Sequence, residues 1–312
     1  MNTMRRLALA AVAAALFSAA NFAALAQSRG QAIVTVETSQ PTIPTESVRL
    51  SAQGGKAQVT EFTPLRGDGA GLQLLILLDD SARRGLALHF DELRTFIMSM
   101  PPTTQVGVAY MQNGAARFAQ QFTTDHEAAA ASLRIPSGSP GGNGSPYFVL
   151  TDLLKRWSPA EESGVALHPG AVRREILMLT NGVEVYDSGR FDPQNPYVAK
   201  AISDAQRQNV IVYAIYVRDI GTNGLAEAEA NNGQNYLVQL TDATGGKTFY
   251  NGTFPSPDFR PYLNELKQHL DNQYELKFTT TAKAKGNDSV GIKVKIDAAK
   301  VQAPSRVYLT LQ

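Results

Sequence analysis

Apolar residues form nearly continuous runs in the middle of the chain. The first run covers residues 72–78, and similar runs follow at 106–110, 176–179 and 210–217. Runs without polar alternation are typical of strands buried on both faces of a parallel sheet. Between the runs, apolar residues recur every three or four positions, which predicts amphipathic helices. This alternation of strand and helix predicts an α/β fold with a doubly wound, mostly parallel sheet over residues 70–272.

The two ends of the chain show a different pattern, in which apolar and polar residues alternate. Short alternating runs separated by Pro41, Pro44 and Gly54 fill residues 31–65, and similar runs fill 274–311. Such runs predict antiparallel strands with one apolar face. Each end offers too few strands to be stable alone. We therefore expect residues 27–69 and 273–312 to pack together as a small antiparallel β-sandwich, with the α/β domain inserted between them.

The first 26 residues have the layout of a cleaved export signal. Arg5 and Arg6 precede an Ala/Leu-rich stretch that ends in the small residues of Ala24-Leu25-Ala26. This order of charged, apolar and small residues is typical of secretory signals. We expect an exported protein, periplasmic or secreted, with no membrane span in the mature chain.

Composition narrows the classes of partner and the sources of stability. The chain has no cysteine, so an exported form would have no disulfides. It has 29 basic and 28 acidic residues, and two of the basic ones lie in the predicted signal. This balance gives no reason to expect nucleic acid or an anionic membrane as a partner.

Three polar loops are expected at the carboxyl edge of the parallel sheet, where ligands of such sheets bind. Residues 79–83 follow the first buried strand, residues 141–146 precede a helix, and residues 180–182 follow the strand at 176–179. Their spacing resembles that of von Willebrand factor A-type domains. In that family a strand ends in Asp-x-Ser-x-Ser, a Thr follows a Gly pair, and a Thr-Asp-Gly turn comes later.

The match places Asp79 and Ser81 at the first two positions, Ser145 at the Thr and Asn181 at the later Asp. The stretch 236–246 also resembles the helix, Gly-Gly turn and closing strand of the family, so the likeness covers residues 71–272. With its flanking strands, the chain is similar to the exported bacterial proteins known as VWFA-related.

The resemblance implies a metal-ion-dependent adhesion site, in which hydroxyls and carboxylates hold a divalent cation and a partner's carboxylate completes its coordination. Here Arg83 stands at the second Ser, and Asn181 at the second Asp. Both changes make the site more positive, which opposes a cation. We therefore expect no cofactor and no bound Mg²⁺, with Asp79, Ser81 and Ser145 as vestigial metal ligands.

Arg83 can replace the cation by pairing with Asp79 through bidentate hydrogen bonds. Alternatively, Arg83 points into solvent and a weak cation is kept by the oxygens of Asp79, Asp80, Ser81 and Ser145. The first arrangement predicts a binding protein that takes the acidic side chain of a protein partner at this loop face. The partner-binding residues would be Asp79, Ser81, Arg83, Ser145 and Asn181.

Two other classes of function remain open. The chain could be an assembly component of an envelope complex that uses the β-sandwich for contacts. It could also be an enzyme with Asp79 and Asp80 as catalytic carboxylates, although phosphoryl-transferring folds of that kind need a second Asp where this chain has Ser81. We expect no enzymatic activity.

Two further features of the sequence are weaker indications of function. Arg66-Gly67-Asp68 spells a tripeptide that some integrins recognise, and a turn at a domain junction explains its glycine equally well. The four histidines show no metal-ligand spacing and are expected at the surface.

Overall fold

A computed structural model describes residues 28–66, 70–80, 83–137, 144–157, 172–186, 191–218, 227–250, 258–282 and 289–311, without the side chains of residues 83, 84 and 311. The predicted signal lies outside these residues. Within them, no helix has the length and apolar character needed to cross a membrane.

The described strands fall into two groups along the chain. In order they are β1 (Ser28–Glu37), β2 (Val48–Ala52), β3 (Ala57–Pro64), β4 (Leu72–Asp79), β5 (Thr104–Gln112), β6 (Ala115–Thr123), β7 (Arg173–Thr180), β8 (Val210–Tyr216), β9 (Thr248–Phe249), β10 (Gln273–Thr280), β11 (Ser289–Ile296), β12 (Lys300–Gln302) and β13 (Arg306–Leu311). Strands β4–β9 form one sheet, and the strands from both ends of the chain form the other.

The described helices all lie between β4 and β10. They are α1 (Arg83–Ala87), α2 (Phe90–Met98), α3 (His126–Ala131), α4 (Pro146–Arg156), α5 (Pro196–Arg207), α6 (Glu227–Thr244) and α7 (Arg260–Asp271). A single 3-10 turn, Thr45–Ser47, precedes β2.

The central sheet has six strands in the order β6-β5-β4-β7-β8-β9. Its pairings are parallel except for β5 with β6, which is antiparallel. Every residue of β4 and β8 is buried, as the continuous apolar runs predicted. One core cluster lies under α2, α3 and α7, and a second lies under α4, α5 and α6. The predicted mixed α/β class is confirmed, with helices on both faces of the sheet.

The second sheet is antiparallel and takes strands from both ends of the chain. Its order is β2-β11-β13-β1-β10-β3, and β12 also pairs with β1. The two outer strands, β2 and β3, are consecutive in the chain and joined by residues 53–56, so the sheet curls until its ends nearly meet. We call it the curled sheet. Its concave side holds a third core cluster, which includes Val34, Phe62 and Leu276.

The curled sheet differs from the predicted β-sandwich. The sequence predicted two packed sheets, but β1 pairs with β10 on one side and with β12 and β13 on the other. This double pairing joins the strands of both chain ends into one hydrogen-bonded sheet. A strand with one apolar face has the same sequence pattern in either arrangement, so the pattern alone could not separate them.

A buried polar cluster lies where the two sheets meet. Arg173, at the start of β7, donates hydrogen bonds from Nη1 to the Leu270 carbonyl and to Gln273 Oε1, each at 2.7 Å. Gln273 donates in turn to the Tyr213 hydroxyl at 3.3 Å. Glu175 is fully buried beside them, and neither of its carboxylate oxygens makes a well-formed hydrogen bond with a described residue. We call Arg173, Glu175, Tyr213 and Gln273 the junction cluster.

Burial raises the pKa of Glu175 to about 7, against the opposing effects of Arg173 and Gln273. The junction cluster therefore contains a carboxyl group that changes charge near neutral pH.

The expected surface position of the histidines is wrong for two of them. His269 is 1% exposed and His89 is 7% exposed. The His89 ring stacks on Phe259 with centroids 3.7 Å apart, and His269 lies 5.9 Å from the Tyr213 ring. Both imidazoles contribute to the packing of α7, which the helical periodicity did not predict for polar rings.

Candidate functional site

The carboxyl ends of β4 and β7 bring the first and third predicted loops together. The two strands are parallel neighbours, with Leu78 opposite Leu179, so Asp79 and Thr180 leave the sheet side by side. The Thr180 hydroxyl donates to Asp79 Oδ2 at 3.0 Å. Both residues are buried, at 7% and 0% exposure. The position of Asp79 is thus fixed from the neighbouring strand.

Three hydrogen bonds hold the carboxylate of Asp80. Its carboxylate accepts hydrogen bonds from Arg134 Nη1 at 2.8 Å, Gln112 Nε2 at 2.6 Å and the backbone N–H of Ser137 at 3.2 Å. Burial raises the pKa of Asp80, but these three donors outweigh it and leave the pKa below its usual value. Asp80 is therefore a buried, ionised carboxylate at neutral pH.

Arg134 is itself positioned by Tyr110 at the end of β5. The guanidinium carbon lies 3.9 Å from the centroid of the Tyr110 ring. The Tyr110 hydroxyl donates to the Arg134 carbonyl at 2.8 Å and accepts from the Arg134 backbone N–H at 2.7 Å. The segment after α3 is tied to the sheet edge by these contacts, and it supplies the cation that compensates Asp80.

Ser145 begins α4 and links the second loop to the third. As the N-cap, its hydroxyl accepts from the backbone N–H groups of Tyr147 at 3.2 Å and Phe148 at 3.4 Å. The same hydroxyl donates to the carboxylate of Glu184. The Tyr147 hydroxyl also donates to the Gly182 carbonyl at 2.9 Å.

The third loop is a compact turn built around Gly182. Asn181 Oδ1 accepts from the Val183 N–H at 3.0 Å, and Gly182 has a φ of +68°, a conformation that favours glycine. Glu184 follows with 2% exposure and accepts from the Tyr186 N–H at 2.9 Å. The turn therefore places a buried carboxylate three residues after Asn181.

The structure brings Asp79, Ser145 and Asn181 to the same edge of the central sheet, where the sequence placed them. Ser81 lies outside the described residues. Arg83 starts α1, but its side chain also lies outside them, so its pairing with Asp79 stays a prediction. Of the integrin-like tripeptide, only Arg66 is described; it donates to the Asp271 carbonyl at 3.0 Å and to Asn272 Oδ1 at 3.1 Å.

Sequence reasoning missed three polar residues of this edge, Gln112, Arg134 and Glu184, and gave no role to Thr180, which it had placed in the third loop. Glu184 lies three residues after Asn181 in the chain, so a count of polar residues around that turn would have found it. Gln112 ends β5, and Arg134 comes after an antiparallel strand and a helix. No local signal connected Arg134 with Asp80.

The described oxygens of Ser145 and Asn181 are engaged in hydrogen bonds within the protein. The Ser145 oxygen already accepts from two N–H groups and gives its proton to Glu184, so it has no lone pair left for a metal. Asn181 Oδ1 accepts from a backbone N–H. No group of three or more His, Cys, Asp or Glu that could hold a metal occurs in the described part of the chain.

Three exposed aromatic rings stand beside this polar edge. Phe148 is 47% exposed, Tyr186 is 56% exposed and Tyr197 is 37% exposed. The rings form a row, with centroids 6.2 Å apart for Phe148 and Tyr186 and 5.6 Å apart for Tyr186 and Tyr197. We call these three residues the aromatic patch. Phe148 lies in the first turn of α4 and Tyr197 in the first turn of α5, so both helices present a ring at the carboxyl edge.

A helical glycine lets α6 approach the third loop. A Cβ atom on Gly233 would lie 2.2 Å from the Asn181 carbonyl oxygen, which belongs to the backbone and cannot rotate away. We expect Gly233→Ala to displace this turn and to lower the free energy of unfolding by about 1–3 kcal/mol. Urea denaturation measures the change.

The matched control is Asn231→Ala, at an exposed position of the same helix. It should be neutral or slightly stabilising, because Ala favours helix. Equal stability of Gly233→Ala and the parent would show that α6 does not press on the turn.

Comparison with known proteins gives distant similarities only. No protein-family model matches the chain, and no curated protein matches it. A von Willebrand factor type A structure from Catenulispora acidiphila aligns with 91% of this chain and 74% of its own, at 11% identity and a TM-score of 0.46. The TFIIH p34 N-terminal domain aligns with 64% of this chain and 98% of its own, at 13% identity and a TM-score of 0.42. The SpRpn10 VWA domain aligns with 62% of this chain and 94% of its own, at 13% identity and a TM-score of 0.39.

Proposed function

We propose that this chain is a binding protein that takes a protein partner at the carboxyl edge of its central sheet. The aromatic patch is the observation that carries the proposal. Exposed aromatic side chains, tyrosine in particular, are enriched among the residues that supply most of the binding energy at protein interfaces. Here three of them form a continuous row rather than lying singly.

Contacts below the aromatic patch hold its rings in place before a partner binds. The hydrogen bond between Ser145 and Glu184 joins the start of α4, which carries Phe148, to the loop that carries Tyr186. Gly144, with a φ of +75°, lies so close to Tyr186 that a Cβ atom would be 2.9 Å from the tyrosine hydroxyl. A surface ordered before binding loses less conformational entropy when the partner arrives.

We propose that the face works without a metal ion and without catalysis. The engagement of the Ser145 and Asn181 oxygens in internal hydrogen bonds supports the first statement. The three donors on Asp80 support the second, because a carboxylate held in this way is a poor nucleophile or base. The partner would contact the aromatic patch together with Asp79, Ser81, Arg83, Ser145 and Asn181, and an acidic side chain of the partner would be received by Arg83.

The loop spacing and the pattern of residues 1–26 support an exported protein of the von Willebrand A type, and we propose that assignment on those grounds. Removal of the signal during export can be read from the N-terminal residue of the isolated protein.

Site-specific photo-cross-linking in the producing cells tests the binding face. A photoreactive phenylalanine at Tyr186 should capture one discrete partner, whereas the same residue at Met98, exposed at the far end of α2, should not. Adding Phe148→Ser and Tyr197→Ser should abolish the product, since each lost anchor costs roughly 2 kcal/mol, about thirtyfold in affinity.

Two controls separate the alternatives. Excess chelator should leave the Tyr186 product unchanged, and its disappearance would contradict a metal-free face. A photoreactive residue at Thr63, exposed on β3, samples the curled sheet. A partner captured from Thr63 but not from Tyr186 would replace the proposed function with an assembly role for the curled sheet.

A further inference from the structure

A second concave surface lies away from the aromatic patch, between the curled sheet and the central sheet. It is a cleft of ≈ 540 Å³. One wall comes from β1, β10 and β13, and the other from the end of α5 and the start of β8. Clefts of roughly 300–1,000 Å³ are typical of small-molecule sites, particularly where two domains meet.

The polar part of the lining is strongly basic. Arg29, Arg207, Lys277 and Arg306 line the cleft, and none of the described residues that line it is acidic. The charge of Lys277 is compensated by Glu61 at 3.0 Å and Glu275 at 3.1 Å.

Two of the arginines, Arg207 and Arg306, have no described carboxylate that compensates their charge. The Arg207 guanidinium lies over the Tyr308 ring, 4.7 Å from its centroid. Arg306 donates from Nε to Ser289 Oγ at 3.2 Å and from Nη2 to the Ser289 carbonyl at 3.0 Å. Among the described residues, neither guanidinium forms an ion pair with a carboxylate. Hydrogen bonds to neutral oxygens orient Arg306 without cancelling its charge.

An apolar surface lies beside these charges. Arg306 and Tyr308 are two residues apart on β13, so their side chains share the face of the curled sheet that meets α5. Val210, which is buried, lines the cleft from the central sheet. The cleft therefore combines two uncompensated guanidinium groups with an aromatic ring and a buried valine.

We propose that this cleft binds a small organic anion whose carboxylate or phosphate group is held by Arg207 and Arg306. Guanidinium groups present paired N–H donors that match the oxygens of both anions. The body of the ligand would lie on the Tyr308 ring beside Val210. Because the walls come from both sheets, the bound anion would stabilise their contact. This site is separate from the protein-binding face and does not depend on it.

Isothermal titration calorimetry of the isolated protein tests the site with benzoate and phenyl phosphate, and with benzyl alcohol as the uncharged control. At least one anion should bind and benzyl alcohol should not. Comparing the two anions identifies the headgroup. Arg207→Gln and Arg306→Gln should each weaken binding roughly 10- to 100-fold, as expected for the loss of charge-assisted hydrogen bonds.

Arg94→Gln is the matched control, since Arg94 is a partly exposed arginine on α2 outside the cleft. It should leave the affinity unchanged. Arg207 is exposed, so its variant should fold like the parent. A readout that needs no variant is the change in NMR signals of Val210 and Tyr308 on adding phenyl phosphate. Absence of binding by both anions, or equal weakening by Arg94→Gln, would overturn the proposal.

Discussion

Glu175→Gln is expected to raise the free energy of unfolding at pH 8 by up to about 3 kcal/mol and to leave it nearly unchanged at pH 4. The folded protein raises the pKa of Glu175 from 4.5 to about 7 because the carboxyl is fully buried in the junction cluster. Each unit of such a shift corresponds to about 1.4 kcal/mol between the two protonation states. The amide resembles the protonated carboxyl in shape and carries no charge.

The sign of this pH effect depends on whether the folded or the unfolded chain binds the proton of Glu175 more tightly. Below pH 4.5 both the folded and the unfolded chain hold a protonated Glu175, so its ionisation costs nothing. Between pH 4.5 and about 7 the unfolded chain releases the proton first, and the folded state loses stability as the pH rises. Above pH 7 the loss is complete and constant.

Urea denaturation of parent and variant at pH 4, 6 and 8 measures this effect. His269 must be considered, because burial lowers its pKa and gives stability the opposite slope below pH 6.5. The histidine is common to both proteins, so it cancels in the difference between them. Glu46→Gln, at an exposed glutamate, is the control and should show no pH-dependent difference. An equal difference at pH 4 and pH 8 would show that the fold does not raise the pKa of Glu175.

Asp80→Ala is expected to lower the free energy of unfolding at pH 7 by about 3 kcal/mol. The change removes the acceptor of three hydrogen bonds and leaves Arg134 over Tyr110 without its carboxylate. Breaking a buried ion pair typically costs about 3–5 kcal/mol, and the lower end applies because the Arg134 side chain is 40% exposed. Asp80→Asn keeps an oxygen acceptor and should cost less.

The pH dependence gives this prediction a second measurement. The pKa of Asp80 is lowered in the fold, so its contribution is present above pH 3.8 and is lost as the pH falls through the folded value. The difference between parent and Asp80→Ala should therefore shrink in acid. Asp297→Ala, which removes an exposed partner of Arg49, should cost less than about 1 kcal/mol. A similar cost for both variants would show that Asp80 is no more important than a surface charge.

The parts of the fold set by local pattern were predictable from sequence. Residues 72–78 could only be buried on both faces, and β4 lies in the middle of the central sheet with every residue buried. The loops at Asp79, Ser145 and Asn181 were predicted because parallel strands end at a common edge. The curled sheet was not predictable, because the partners and register of its strands depend on pairing between distant parts of the chain. Ser28, for example, pairs with Thr280, more than 200 residues away.

The sequence predicted a common sheet edge for Asp79, Ser145 and Asn181 but not the contacts that these residues make. The resemblance directed attention to residues at matching spacings, whereas the carboxylate that binds Ser145 is Glu184, outside the motif. Asp80 is compensated by Arg134, which reaches it only through the packing of Tyr110. Contacts of this kind are set by tertiary structure, so a single sequence contains no local sign of them.

The pairing of β1 with β10, β12 and β13 has a consequence for the time course of synthesis. The first described strand emerges from the ribosome long before the strands that flank it exist, so the curled sheet cannot close until β13 has been made. Structures that depend on such distant pairings fold slowly, and their early strands stay unpaired in the meantime. The curled sheet is therefore still open when all the strands of the central sheet have already been made.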